Sequence, residues 1–204
     1  NSRNERSKGV NWDINYKTSI GNLGISFNQL FFYTKLDHPL VLNNTATNKL
    51  EFKNADGYID TKGIETNLRF TYQDFKLFIG YTYTDANTNF KNSKQLLPLT
   101  ARHRLNNVLM YEIEYKLKLG LEAYYIGKQS LSDGSFGKSY WITGFMAEKL
   151  WEKWSLFINF ENFTNTRQSK FDNIFTGSIL NPVFKDIYAP VEGFVVNGGL
   201  KIRL

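Results

Sequence analysis

Cysteine is absent from the chain, which excludes a disulfide framework, a thiolate metal site and a lipid-anchored cysteine. No stretch approaches the roughly 18 to 20 consecutive apolar residues of a transmembrane helix. The first residues, NSRNERSKG, offer no starting methionine, apolar signal core or cleavage motif, so the chain is expected to be a piece of a longer precursor. Histidine is scarce as well. His38 precedes Pro39 at the head of a polar stretch and His103 lies far from it in sequence, so no converging set of metal ligands is expected. No Ser-His-Asp arrangement or other catalytic constellation is visible, and no cofactor site. The net charge of +6 and pI near 9.3 are dealt out singly along the chain. That pattern fits a solvated surface and does not point to nucleic acid.

Aromatic residues, in contrast, make up 16% of the chain, while the mean hydropathy is only -0.40. The stretch Trp151–Arg167, WEKWSLFINFENFTNTR, shows how the two fit together. Trp154, Leu156, Ile158 and Phe160 fall on one face of an extended strand; Ser155, Phe157, Asn159 and Glu161 fall on the other. A tight Glu152-Lys153 turn precedes the strand and a long polar loop follows it. Apolar outside, polar inside and aromatic at the ends is the pattern of a transmembrane β-barrel strand, whose polar lumen face keeps the average hydropathy low.

The unit recurs along the chain. Val10–Lys17 is expected as a first strand and Leu23–Tyr33 as a second, with Leu30 and Phe32 blurring its alternation. A third carries Ile64, Leu68, Phe70 and Tyr72 outward, and a fourth Phe75, Leu77, Ile79, Tyr81 and Tyr83. The fifth faces Leu105, Leu109, Tyr111, Ile113 and Tyr115 outward, with Arg102, Arg104, Asn106, Glu112 and Glu114 inward. Leu117–Tyr125, Trp141–Trp151, Trp154–Glu161 and Phe194–Leu204 complete nine strands. Tight turns near Asn22, Asp74, Lys116 and Glu152 alternate with expected loops at 37–57, 86–100, 128–138 and 164–192. Aromatics gather in two belts, one near the turns and one near the loops. A soluble β-sandwich also alternates but has no reason to sort loop lengths or to belt its aromatics twice. With tight turns periplasmic and loops outside the cell, residue 1 starts outside. Such a set of strands cannot close a barrel, and further strands are expected from another segment or another chain.

Four stretches resemble the C-terminal barrel region of TonB-dependent outer-membrane receptors: ERSKGVNWDINYK (5–17), KGIETNLRF (62–70), LPLTARHRLN (97–106) and ENFTNTRQ (161–168). Their order and spacing match across essentially the whole chain. The resemblance implies an all-β, antiparallel transmembrane barrel of about 22 strands, of which residues 1–204 are about the last nine. It also implies an integral place in the Gram-negative outer membrane and an N-terminal plug and strands outside this chain. It implies active import of a scarce ligand, a ferric siderophore or other iron complex first, energised through the missing part by TonB-ExbB-ExbD. Cobalamin, haem or glycan and peptide oligomers are alternatives by the same mechanism, and a passive porin is the alternative of another class. Lipid and lipopolysaccharide are expected neighbours, a surface lipoprotein a conceivable partner. The last residue, Leu204, departs from the aromatic that more often ends the family's assembly signal, though it keeps terminal hydrophobicity.

Ligand contacts are sought at the outer mouth. Arg102 and Arg104, read as inward-facing, form a guanidinium pair suited to carboxylate or phosphate groups; the alternative is that they balance Glu65, Glu122 or Glu161. Phe90, Phe136 and Tyr188, with Phe171, Phe175 and Phe184, fall in outer loops. There they suit an aromatic ligand platform, or equally loop packing or a partner protein.

Overall fold

The computed structural model describes residues 3–44 and 50–203. Leu204, expected on the outward face, lies outside them, as does the middle of the 37–57 loop. In chain order the strands are β1 (Arg6–Ile20), β2 (Leu23–Asp37), β3 (Leu40–Asn44), β4 (Leu50–Asn54), β5 (Gly57–Tyr72), β6 (Phe75–Phe90), β7 (Ser93–Leu96) and β8 (His103–Ile113). They continue with β9 (Leu117–Ile126), β10 (Tyr140–Leu150), β11 (Trp154–Glu161), β12 (Phe175–Ser178), β13 (Asn181–Phe184) and β14 (Val195–Ile202). Nine of them form one antiparallel sheet in the order β1-β2-β5-β6-β8-β9-β10-β11-β14, and β7 adds to the outer end of β6. This is the barrel wall the alternation calls for, and β1 and β14 are its edges.

The register places the apolar sets on one face. Trp12 stands opposite Phe31, Ile25 opposite Phe70, Leu68 opposite Ile79, Leu109 opposite Leu121 and Leu156 opposite Leu200. These side chains are solvent-accessible in the isolated chain, Trp12 at 62% and Leu121 at 46%. A face this apolar and this exposed belongs in hydrocarbon, not in water. The line of direct partners that begins at Leu23 beside a tight turn reaches Gly198, four residues above the end of β14 at Ile202. The strands are therefore tilted, as closing a barrel requires.

Both belts are present. Near the turns, Phe75 packs on Tyr111 at 4.7 Å between ring centres, and Trp151 stacks on Trp154. Near the loops, Tyr125 packs on Trp141 at 5.2 Å and Tyr83 on His103 at 5.3 Å. Polar residues break the middle of the lipid face where Gln29 faces Thr66 and at Asn107, whose amide donates to the Ala123 carbonyl at 3.4 Å. The Thr66 hydroxyl donates to Gln29 Oε1 at 2.7 Å, and the Gln29 amide donates to the Glu65 carbonyl at 3.1 Å. Bonding to one another and to the backbone removes most of the cost of placing them in lipid.

Several boundaries differ from expectation. Leu30 and Phe32, which blurred the pattern, are lumen residues: a Cβ at Gly63 would come within 2.6 Å of the Phe32 ring, so only glycine fits beneath it. β8 ends at Ile113, and Glu114 and Tyr115 lie in the turn, Tyr115 with left-handed backbone (φ 57°). The stretches read as loops carry strands of their own. β6 runs on to Phe90 and returns as β7; β3 pairs with β4 and β12 with β13. Outside the bilayer the backbone still needs hydrogen bonds, but nothing demands an apolar face, so the alternation stops while the pairing continues.

The two faces give a direct test. In a complete barrel refolded into vesicles, Leu121→Arg on the lipid face should cost about 2 to 4 kcal/mol, while its lumen-side neighbour Glu122→Arg is far milder. Urea titration of both variants reads the difference, and equal costs would refute the assignment of faces.

Candidate functional site

Lumen-facing side chains form a charged belt near the tight turns. Lys76 and Lys118 lie 2.8 and 2.9 Å from the two oxygens of Glu112. On the adjoining strands Glu148 accepts from Lys201 at 3.0 Å and from the Ser155 hydroxyl at 2.7 Å. Signs alternate from β6 to β14, which ties the wall laterally and keeps the lumen wet. Single inward residues were legible from alternation; the belt was not, because it depends on register between strands. Higher on the wall, Gly144 lies in register between Glu122 and Glu161. The missing side chain leaves a cleft of about 420 Å³. Glu122 accepts from Tyr124 at 2.9 Å and Glu161 from Asn197 at 2.6 Å.

At the outer mouth the structure separates the expected arginine pair. Arg104 is exposed on the lumen face, opposite Thr82 and Ile126, and among the described residues it forms no ion pair. Arg102 sits at a bend before β8 and places its guanidinium 3.2 Å from Asp85. That carboxylate lies on the outward face and is not one of the lumen glutamates. The alternation that read Arg102 as inward fails there because the strand has already ended.

The aromatics divide as well. Phe136 is 59% exposed and Phe90 half-buried at the tip of β6. Tyr188 is only 6% exposed and belongs to a small core with Leu131, Ala189, Phe171 and Tyr140. Its ring covers Gly137 so closely that a Cβ there would come within 2.7 Å. Its hydroxyl donates to Asp172 at 2.9 Å and accepts from the Lys138 amide at 3.0 Å. Tyr188 thus fastens loop 128–138 to loop 164–192, the loop packing that the sequence left open beside a ligand contact. Gln168, fully buried, completes the fastening: it accepts from the Tyr188 and Ala189 amides and donates to the Asp186 carbonyl at 3.0 Å. Nothing local in the sequence marks that glutamine, since its partners lie about twenty residues away. Phe175 and Phe184 face each other across the separate β12–β13 hairpin.

The ENFTNTR stretch is the hinge from wall to loops. Asn162 and Asn165 adopt left-handed backbone (φ 48° and 55°), which asparagine tolerates better than most residues. The Asn162 amide donates to the Thr166 and Glu192 carbonyls, and its oxygen accepts from the Thr166 amide at 2.9 Å. The turn therefore clasps the far end of the same loop just before β14.

The Tyr188 hydroxyl holds the Asp172 carboxyl below its ordinary range. A depressed carboxylate stabilises the fold above its unfolded value and loses that contribution as pH falls through its folded value. The cap should therefore be tight at neutral pH and loosen below about pH 4. Hydrogen exchange in 164–192, corrected for intrinsic rates, should show this. Tyr188→Phe should raise exchange severalfold at neutral pH, and Asp172→Asn should remove the acid dependence.

Residues 4–163 match the family described as TonB dependent receptor-like, beta-barrel. No curated protein matches the chain in sequence. Among solved structures, the chain is similar to the FrpB iron transporter from Neisseria meningitidis (F5-1 variant), at 16% identity and a TM-score of 0.66, over 98% of this chain and 32% of that one. It is similar to the ferric-catecholate import receptor Fiu from E. coli K12 at 15% identity and a TM-score of 0.60, over 95% and 27%. The pyoverdine outer membrane receptor FpvA from Pseudomonas aeruginosa PAO1, bound to pyoverdine, follows at 16% and 0.59, over 95% and 29%. At these identities the likeness is one of fold, and the chain spans about a third of the length of those proteins.

Proposed function

The chain belongs to the TonB-dependent receptor family as a stretch of its outer-membrane β-barrel, and from that premise we propose that the complete receptor imports an iron complex, a ferric siderophore first. The observation that carries this reading is the likeness of the wall, over nearly its whole length, to barrels of iron transport. In the proposed mechanism the outer loops capture the complex and a plug inside the barrel gates its passage. Energy comes from TonB-ExbB-ExbD through the part of the receptor beyond this chain. Arg104, with Phe136 and Phe90 above it, is the proposed contact for an anionic, aromatic-bearing chelate, because it stands exposed at the mouth with no carboxylate partner among the described residues. Arg102 serves the loop base through Asp85. No enzymatic role is proposed.

The test is uptake of ⁵⁵Fe-labelled siderophores by cells that rely on the full receptor. Uptake should stop on deletion of tonB or on collapse of the proton gradient. Arg104→Gln should weaken binding roughly tenfold or more, the scale of a hydrogen bond to a charged group, without altering the folded barrel. Uptake that persists without energy would overturn the receptor reading in favour of a porin. Energised uptake of cobalamin, haem or an oligomer in place of iron would overturn the choice of ligand.

A further inference from the structure

Beyond the outer ends of β1 and β2 lies a cavity of about 430 Å³, lined by Arg3, His38, Lys53, Asn54, Ala55 and Asp56. One side chain holds it together. Asn54 accepts from the Arg3 amide at 2.6 Å and donates to the carbonyls of Arg3 at 3.0 Å and His38 at 2.8 Å. It thereby ties stretches that are distant in sequence: the segment ahead of β1, the turn past β2 and the end of β4. The backbone beside it is paired as well, the His38 amide donating to the Gly57 carbonyl at 3.0 Å and the Ala55 amide to the Pro39 carbonyl at 2.8 Å. His38 is held in left-handed backbone (φ 54°), which a residue with a Cβ keeps only where its surroundings impose it.

The lining is charged unequally. Arg3 and Lys53 stand against a single carboxylate, Asp56, and His38 adds a ring nitrogen. Among the described residues neither Arg3 nor Lys53 forms an ion pair. Nearby acids are engaged elsewhere: Glu5 accepts from the Leu40 amide, and Asp37 holds Lys35 at 2.8 Å. The lumen lysines Lys76, Lys118 and Lys201, in contrast, are all paired within the wall. A cleft with an excess of one sign focuses its field and concentrates the opposite ion. Its volume is in the range of small-molecule sites.

We propose that this cavity binds a compact multivalent oxyanion, a group bearing several carboxylate or phosphate oxygens, with the Arg3 fork taking two of them and Lys53 and His38 meeting the others. The anion comes from solution and not from the bilayer. His38 lies five residues past Tyr33 of the outer belt, roughly 16 Å along an extended chain, whereas a headgroup layer is about 5 to 8 Å deep. Nor is the cavity part of the mouth. Arg104 is in line with Leu30 through Thr82 and Glu65. His38 stands roughly 25 Å farther along β2, too far for one small group to reach both. The inference is therefore independent of what the receptor imports.

The experiment titrates the full-length receptor in detergent by isothermal calorimetry with citrate, with inorganic phosphate and, as an uncharged control, with trimethyl citrate. Citrate or phosphate should bind at one site per receptor and more weakly as salt rises, and the tighter of the two names the preferred oxygen donor. Arg3→Gln and Lys53→Gln should each weaken binding roughly tenfold. Lys53→Arg should keep it, and Arg104→Gln should leave it unchanged. Both glutamine variants replace exposed side chains and spare the backbone bonds to Asn54, so their melting temperatures should match that of the parent. No binding of either anion, equal binding of trimethyl citrate, undiminished affinity in the glutamine variants, or loss of binding in Arg104→Gln would each overturn the proposal. Uptake of ⁵⁵Fe, read separately, tests the transport reading whichever way these fall.

Discussion

Hydrocarbon cannot hydrogen-bond a peptide group, and the rest of this structure depends on that. Each unpaired amide or carbonyl in the bilayer costs several kcal/mol, so the wall has to be an unbroken ladder. Long strands joined by tight turns at Gly21-Asn22 and Gln73-Asp74 satisfy the ladder with little irregular backbone. The same constraint bears on the edges. β1, fifteen residues long and exposed throughout, has one partner strand, and so has β14. Both lie where water cannot reach, so the wall is part of a larger barrel, consistent with relatives about three times as long.

Once the ladder is fixed, each strand has two faces with nothing in common. The outward face answers to lipid and is held by area alone, which explains why Gln29 and Thr66 appear there only as a mutually bonded pair. The lumen face answers to water and carries the Lys76–Glu112–Lys118 belt. Exposed ion pairs of this kind contribute little stability each. Their weight lies in register, because a slip of one residue would drive lysines into hydrocarbon and leucines into the lumen. Polar and apolar sets thus specify the same pairing from opposite sides of the sheet.

This is why the membrane part was legible from the sequence and the outer part only in outline. A period of two is imposed residue by residue between the belts, so nine strands, their order and their lipid face follow from Leu, Ile, Phe and Tyr at alternate positions. Beyond Tyr83 the demand ends: Asp85, Asn87 and Asn89 continue the same face of β6 with no apolar signal, and a strand end was read as a loop. Arg102 was misplaced for the same reason. The Tyr188 fastening was illegible for another. An aromatic in a loop looks the same whether it awaits a ligand or caps Gly137, and only the distant Gln168 and Asp172 decide which.

The outer loops must solve in water a problem the wall never meets. Between Asn162 and Glu192 the chain leaves the ladder and has no bilayer to hold it. It is fixed instead by a closed ring of contacts: Asn162 clasps the Glu192 carbonyl, Gln168 binds the backbone of 186–190, and Tyr188 reaches across to Lys138. A ring of this kind fixes the ends of the loop while leaving the β12–β13 hairpin outside it, with Ile179 and Leu180 about nine-tenths exposed at its tip. The loop is thus hydrogen-bonded at its base and open at its tip. That division follows from where the hydrogen bonds are placed.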